Sequence, residues 1–403
     1  MSGGPAVVVV GIGDDGWAGL TAAAQAVLRE AAVIAGGRRH LALLPDLPAR
    51  QVPLPSPLLP RLDELVAGHP GLCLLASGDP MLHGIGATLV RRLGRGAVRV
   101  LPAVSSVALA CARLGWAEHE ADVVSVVSRP VEAVLPAVQP GARLLVLSRD
   151  GGTPAALAGL LAGRGWGGCE ITVLEHLGGP AERITGPYPA SAPDPGPFAD
   201  LCVVAVACAP HPEGPVLPRV PGLPDAAFDN DGQISRREVR ALALAALAPG
   251  PGQFLWDVGA GSGSVGIEWM RTDPRCRAVA VEARADRAQR IAGNAARLGV
   301  PGLRVVCGAA PEALAALAAP DAVFVGGGLT AAGVLDACWK ALPPGGRLVA
   351  HAVTVESEAV LHQWQRDAGG QLVRLAVSYH APLGGFTTWR PALPITQWQV
   401  TKT

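Results

Sequence analysis

The chain has 403 residues, enough for two or three domains of roughly 100–200 residues each. Its 33 basic and 33 acidic residues cancel to a formal net charge of +0, and no basic stripe or run stands out, which argues against nucleic acid or an anionic membrane surface as a partner. Apolar runs such as Leu201–Ala209 are far shorter than the ~20 residues of a membrane span. The opening MSGGPAVVVV has no basic segment before its apolar run, so no secretory leader is expected. Eight cysteines without a C-x-x-C pair read as buried thiols of a cytoplasmic protein, with no metal site.

Val7–Val10 is β-branched throughout and suits a strand buried on both faces. It runs into Gly11–Gly16, formally the G-x-G-x-x-G of a dinucleotide site. However, no acid closes the next expected strand, Ala32–Ala35, and two aspartates inside the turn would repel a pyrophosphate. A tight turn beside an active site is the better reading. The proline-rich stretch Pro45–Pro60 reads as an irregular connection before a helix at Arg61–Ala67. A strand at Gly71–Ala76 leads into Ser77, Gly78, Asp79 and Leu82, and a strand at Val98–Leu101 leads into Ser105 and Ser106. A helix follows each turn, at Ala87–Leu93 and Val107–Leu114. Asp79 and Ser105 are N-cap residue types, and turns at the carboxyl ends of strands are where α/β sheets bind ligands.

These segments, GIGDDGWAGLT, ASGDPMLHGIG and LPAVSS, resemble in order and spacing the tetrapyrrole methylase family. The resemblance implies two α/β subdomains over residues 1–209. The second spans Gly141–Cys208, with strands at Arg143–Leu147, Ile171–Glu175 and Leu201–Ala207. It also implies S-adenosylmethionine (SAM) held by Ser77, Gly78, Asp79, Leu82, Ser105 and Ser106.

Residues 210–232 are rich in proline and glycine and read as the linker to a second domain, 233–403. Asp229, Asp231, Gly232 and Glu238 fall at the spacing of a calcium loop, but Ala227 occupies its first ligand position. Ser235 is placed to N-cap a helix with Glu238 as its capping-box partner. Arg236, Arg237 and Arg240 read either as solvated or as partners for the carboxylates of an acidic substrate. FLWDVGAGSGSVGIE, Phe254–Glu268, reads as strand, glycine turn and helix, the ligand-binding corner of a doubly wound sheet. Asp257 closes its strand, the glycines are spaced G-x-G-x-G, and Glu282 ends the next strand, Ala278–Val281, where a carboxylate takes ribose hydroxyls. Two carboxylates suit a sulfonium better than a pyrophosphate, which favours SAM over a nicotinamide cofactor. Strands are expected at Leu303–Cys307, Asp321–Val325 and Leu348–Ala352.

This half, with ISRREVR, WDVGAGSGSV, VEA, DAVFVGGG and PPGGRLVAHAVTVES, resembles the small decarboxylating precorrin methyltransferases of cobalamin synthesis. The resemblance implies a Rossmann-like domain that holds SAM through Ser235, Asp257, Gly259, Ala260, Gly261, Ser262, Gly263, Glu282, Ala309 and Ala310. Gly326, Gly327 and Gly328 would face a tetrapyrrole, with His351 and Glu356 handling protons. Together the halves imply methylation of carbons 5 and 15 of a precorrin and loss of the carbon-12 acetate as carbon dioxide, in a cytoplasmic homo-oligomer. The readings left beside this one are a nicotinamide-dependent oxidoreductase, a methyltransferase for another substrate, and a SAM-sensing module.

Overall fold

The structure is a computed structural model and describes residues 6–403. Met1–Pro5, on which the expectation of a leaderless start partly falls, lies outside the described residues. The chain divides into two compact units, Met1–Val131 with Pro140–Pro215, and Glu132–Gln139 with Val216–Thr403. No helix among the described residues is long and apolar enough to cross a membrane.

The first unit holds two sheets. One comprises β1 (Val7–Ile12), β2 (Val33–Gly36), β3 (Arg50–Pro53), β4 (Leu72–Ser77) and β5 (Val98–Leu101), all parallel, in the order β3-β2-β4-β1-β5. Alternate residues of a strand point to opposite faces. Thus Val7, Val9, Leu72 and Leu74 enter one buried cluster, and Val10, Ile12, Cys73 and Leu75 the other. β3 lies inside the proline-rich stretch expected to be irregular; it is an edge strand, where the missing N–H of Pro53 leaves no central ladder bond unmade. The second sheet comprises β6 (Ala121–Ser125), β7 (Arg143–Leu147), β8 (Glu170–Glu175), β9 (Arg183–Pro189) and β10 (Cys202–Ala207), in the order β6-β7-β10-β8-β9. The β6–β7 pairing is parallel and the other three are antiparallel.

The second unit is built on β11 (Phe254–Val258), β12 (Arg277–Glu282), β13 (Arg304–Cys307), β14 (Ala322–Val325), β15 (Arg347–Ala352), β16 (Gln371–Leu375) and β19 (Ile395–Thr401), in the order β13-β12-β11-β14-β15-β19-β16. The first five are parallel, as the alternation of strand and helix predicts, and β19 inserts antiparallel between β15 and β16. Leu255, Ala278, Ala280, Ala322 and Phe324 pack on one face, and Trp256, Val258, Val279, Val281, Val323 and Val325 on the other. Between β16 and β19 in sequence, β17 (Ser378–Leu383) and β18 (Phe386–Pro391) form a separate hairpin with Phe386 and Trp389 exposed. Successive strands run outward in one direction from β11 and in the other from β14, so the gap between these two neighbours is the topological switch point.

Candidate functional site

At the switch point two glycine segments touch. Gly326 N–H donates to the Val258 carbonyl at 2.9 Å. A Cβ on Gly259, whose φ is +65°, would lie 2.6 Å from the Gly327 carbonyl oxygen. Only glycine permits this approach. Gly259 and Ala260 N–H both donate to the Val281 carbonyl, at 2.9 and 3.1 Å, which ties the turn to the end of β12. A Cβ on Gly261 would meet the Gln233 carbonyl at 3.1 Å, and one on Gly263 the Ile291 side chain at 2.6 Å.

The polar groups converge on the same turn. The Glu282 carboxylate accepts Gly261 N–H at 2.9 Å and Arg284 N–H at 3.1 Å. Gly308 N–H donates to the Glu282 carbonyl at 2.9 Å, so the loop carrying Ala309 and Ala310 begins beside it. Asp257 is 1% exposed. One of its oxygens accepts Gly266 N–H at 2.8 Å, and the other is buried without a partner. Burial pushes its carboxyl up to about 7, with the Glu282 charge adding to the effect and the Gly266 hydrogen bond opposing it. The Ser262 hydroxyl is likewise buried without a partner. Two orphaned polar atoms beside a turn emptied of side chains are what a polar ligand would complete.

Three groups hold this arrangement in a role the motifs do not give, and one of them, Arg240, is neither solvated nor open to a substrate. Asn294 donates to the carbonyls of Ser262 and Asp229, both at 2.9 Å. Arg240, fully buried, donates from Nε to Glu268 at 2.6 Å and also reaches the carbonyls of Leu223 and Ser235. Glu268 in turn accepts the N–H groups of Gly222 and Leu223, at 2.6 and 3.0 Å. The only signal for this pair in the sequence is a charged residue at a core-facing helical position.

Several expectations are corrected. The helix at Arg237–Leu247 has Arg236 as its N-cap residue with no side-chain cap bond. Ser235 instead offers its carbonyl to Arg240, and Glu238 accepts the Tyr379 hydroxyl at 2.8 Å, so no capping box forms. Asp79 does not cap a helix. It accepts Met81 N–H at 2.8 Å in a local turn, and the helix starts at Ile85 because proline and glycine delay it. Cys307 is exposed on the edge strand β13, unlike the other seven cysteines. Asp231, in the calcium-like spacing, pairs with Arg287 at 2.8 Å and Arg290 at 3.4 Å.

His351 is 8% exposed on β15. It shares a 2.9 Å hydrogen bond with Gln397 and packs edge-on to Phe324, with ring centroids 5.0 Å apart. Burial lowers it to about 4, against the opposing Gln397 bond, so it is neutral at neutral pH. Glu356 is exposed in the first turn of the helix Val355–Ala368. Arg236 is exposed and pairs with Asp225 at 3.3 Å, and Arg237 is also exposed.

In the first unit the loops after β1, β4 and β5 meet. A Cβ on Gly11 would lie 2.2 Å from the Gly78 carbonyl and 2.6 Å from Ala103 N. Gly78, with φ +54°, lies against Val104 and Ser105. Ser105 does cap its helix, accepting Ala108 N–H at 3.0 Å, and Ser106 is the first helical residue. Ser77 accepts a 3.4 Å bond from Arg39, and Leu82 packs on the cluster that includes Val107 and Leu145. The structure thus brings together the two segments expected to bind a donor.

Residues 226–402 match the family described as "Precorrin methyltransferase domain", and residues 6–189 match "Tetrapyrrole (Corrin/Porphyrin) Methylases". The chain is 48% identical over 401 residues to "Precorrin-6Y C(5,15)-methyltransferase [decarboxylating]" of a Sinorhizobium species, covering 99% of this chain and 97% of that protein. It is 49% identical over 399 residues to the protein of the same name from Mycobacterium tuberculosis (strain CDC 1551 / Oshkosh), covering 98% and 100%. Among solved structures, the C-terminal domain of precorrin-6Y C5,15-methyltransferase from Rhodobacter capsulatus is 46% identical, covering 46% of this chain and 100% of that one, with a TM-score of 0.44. The chain belongs to the family of decarboxylating precorrin-6Y C(5,15)-methyltransferases.

Proposed function

We propose that the chain transfers two methyl groups from SAM to carbons 5 and 15 of precorrin-6Y and releases the carbon-12 acetate as carbon dioxide, giving precorrin-8X. Each unit adds one methyl, and the second also decarboxylates. The two halves match two different methylase families, which supports this division. The observation that carries the reading is the Gly259–Gly327 contact at the switch point, with the unpartnered Asp257 and Ser262 oxygens beside it.

SAM supplies a methyl group on a sulfonium with a neutral thioether as leaving group. Alignment then does most of the work, and an electron-rich carbon needs little acid or base help in the transfer itself. In the second unit, Gly259, Ala260, Gly261, Ser262 and Gly263 close on the donor, with Ser235, Ala309 and Ala310 at the rim. Glu282 is pinned through two backbone N–H groups, and its remaining lone pairs take ribose hydroxyls. Asp257 supplies a carboxyl whose charge burial suppresses. Gly326, Gly327 and Gly328 present bare backbone to a flat macrocycle, and Arg236 and Arg237 meet its carboxylates. His351, being neutral, serves decarboxylation as a proton acceptor or hydrogen-bonding partner, with Glu356 as the second proton-handling group. In the first unit Ser77, Gly78, Asp79, Leu82, Ser105 and Ser106 hold a second SAM.

The test is mass spectrometry of precorrin-6Y incubated with SAM and the full chain. The expected product carries two more methyl groups and has lost one carbon dioxide. Tight NADH binding without SAM binding would replace this reading with an oxidoreductase, and SAM binding without turnover with a sensing module.

A further inference from the structure

Methylating a bridging carbon of a tetrapyrrole leaves a proton to dispose of. The carbon's π electron pair forms the new C–C bond as the S–C bond breaks, and sulfur leaves with its pair. The carbon then still carries its hydrogen, and conjugation returns only when the C–H pair flows back into the ring and the proton departs. Some group must accept it.

The first unit contains such a group outside the donor loops. His176 follows directly on β8, and Asp14 lies two residues beyond β1. The His176 Nδ1 and Asp14 Oδ2 atoms are 2.9 Å apart across 162 positions of sequence. The other Asp14 oxygen accepts Arg39 Nη1 at 2.6 Å. A carboxylate oxygen on Nδ1 favours the tautomer with its proton there, which leaves the Nε2 lone pair free. Nε2 makes no hydrogen bond within the described residues, and the His176 side chain is 31% exposed against 10% for Asp14. The base is therefore open and its orienting acid covered.

The backbone is shaped around this pair. His176 has a φ of +50°, one of three non-glycine residues with a positive value among the described residues. A Cβ on Gly179 would lie 2.4 Å from Asp14 Oδ2, so glycine leaves room for the carboxylate. The turn is held by Glu182, which accepts Gly178 N–H at 2.7 Å and a two-pronged contact from Arg113 at 2.5 and 3.1 Å. Arg39 also reaches Ser77 at 3.4 Å, which links the pair to the loop proposed to hold the donor.

We propose that His176, oriented by Asp14, is the base that removes the proton from the carbon methylated in the first unit. This rests on the reading that the first unit is a methylase for precorrin-6Y. Asp14 is the charged group on the ring; Arg39 lies behind it on the other Asp14 oxygen with His40 beside it, and the preceding residue, Glu175, is paired with Arg183. His40 is lowered to about 4, chiefly by burial and next by Arg39, so it gives no transition near neutral pH.

The experiment follows product mass with the full chain, precorrin-6Y and SAM, scoring each methyl and carbon dioxide separately from pH 5 to 9. His176→Gln is expected to slow delivery of the first-unit methyl by ~10²–10⁴-fold, the usual worth of a general base. It should erase the acid limb of that rate, leaving SAM affinity and decarboxylation unchanged. Asp14→Asn should lower the same rate with SAM affinity unchanged, and it keeps the test open if His176→Gln fails to fold. An unchanged rate, an unchanged acid limb, or an equal loss of SAM binding would overturn the assignment. A wild-type chain that places no methyl through this unit would instead refute the underlying reading, and the inference with it.

Discussion

The two units bring backbone segments into close contact in different ways at the places proposed to enclose a donor. In the second unit the site is one continuous segment at the switch point of a parallel sheet, and its partners are the ends of neighbouring strands. In the first, three separate loops meet over Gly11, and the adjoining Asp14–His176 pair joins two sheets. Both depend on a missing Cβ. Beside the second unit's glycine turn Asp257 and Ser262 each leave a buried oxygen without a partner, whereas in the first unit both Asp14 oxygens are paired, with His40 Nδ1 nearby the buried atom left without one. The second is proposed to be completed by a ligand, and the first to hold an organised acid–base pair.

The strongest way to break this comparison is to fill each glycine contact. Gly11→Val would drive a side chain into Gly78 and Ala103, and Gly259→Val into Gly327. Each is expected to cut its own unit's methylation by about 100-fold or more, because displacement by about an ångström suffices for that. The other methyl should be untouched, and only Gly259→Val should also stop carbon dioxide release. Mass spectrometry of the products reads all three.

Next in size is Arg240→Met. It leaves Glu268 as an uncompensated buried charge and releases the segment carrying Leu223 and Ser235. Breaking a buried pair from one side costs about 3–5 kcal/mol, measurable by urea unfolding. Arg240→Met combined with Glu268→Leu should recover part of that loss.

Asp257→Asn acts through pH. The unfolded carboxyl ionises near 3.8 and the folded one near 7, so between these values the native state holds the extra proton and stability falls as pH rises. Asparagine removes that slope. The variant is expected to gain on wild type by a few kcal/mol on going from pH 4 to pH 8, in urea unfolding of the free chain.

On stability, His351→Gln should have the smallest effect and the opposite sign. Native His351 resists protonation until about 4, so wild type loses stability as pH falls from 6.5 toward that value. The variant should lack this acid-side loss.

What was legible in the sequence follows the same division. Phe254–Glu268 announced itself because strand, turn and helix are contiguous, and Glu282 lay at a spacing that sheet geometry fixes. Buried parallel strands were legible from β-branched runs such as Val7–Val10. β3 and β9 were not, because both lie at sheet edges where half-exposed, proline-containing segments lack a buried run's signature. β19 was missed because nothing local says that a final strand will insert between β15 and β16. Asp14 reads in the sequence as an awkward charge in a turn; its partners Arg39 and His176 lie 25 and 162 positions away, beyond any local pattern. Ser235 misled because cap chemistry was legible while the competing claim of Arg240 on its carbonyl was not.

The measurement that bears most directly on the account is the stoichiometry of SAM binding to the full chain by calorimetric titration. Two sites per chain are predicted, one abolished by Gly11→Val and the other by Gly259→Val. A single site per chain, or both sites lost together in either variant, would contradict it.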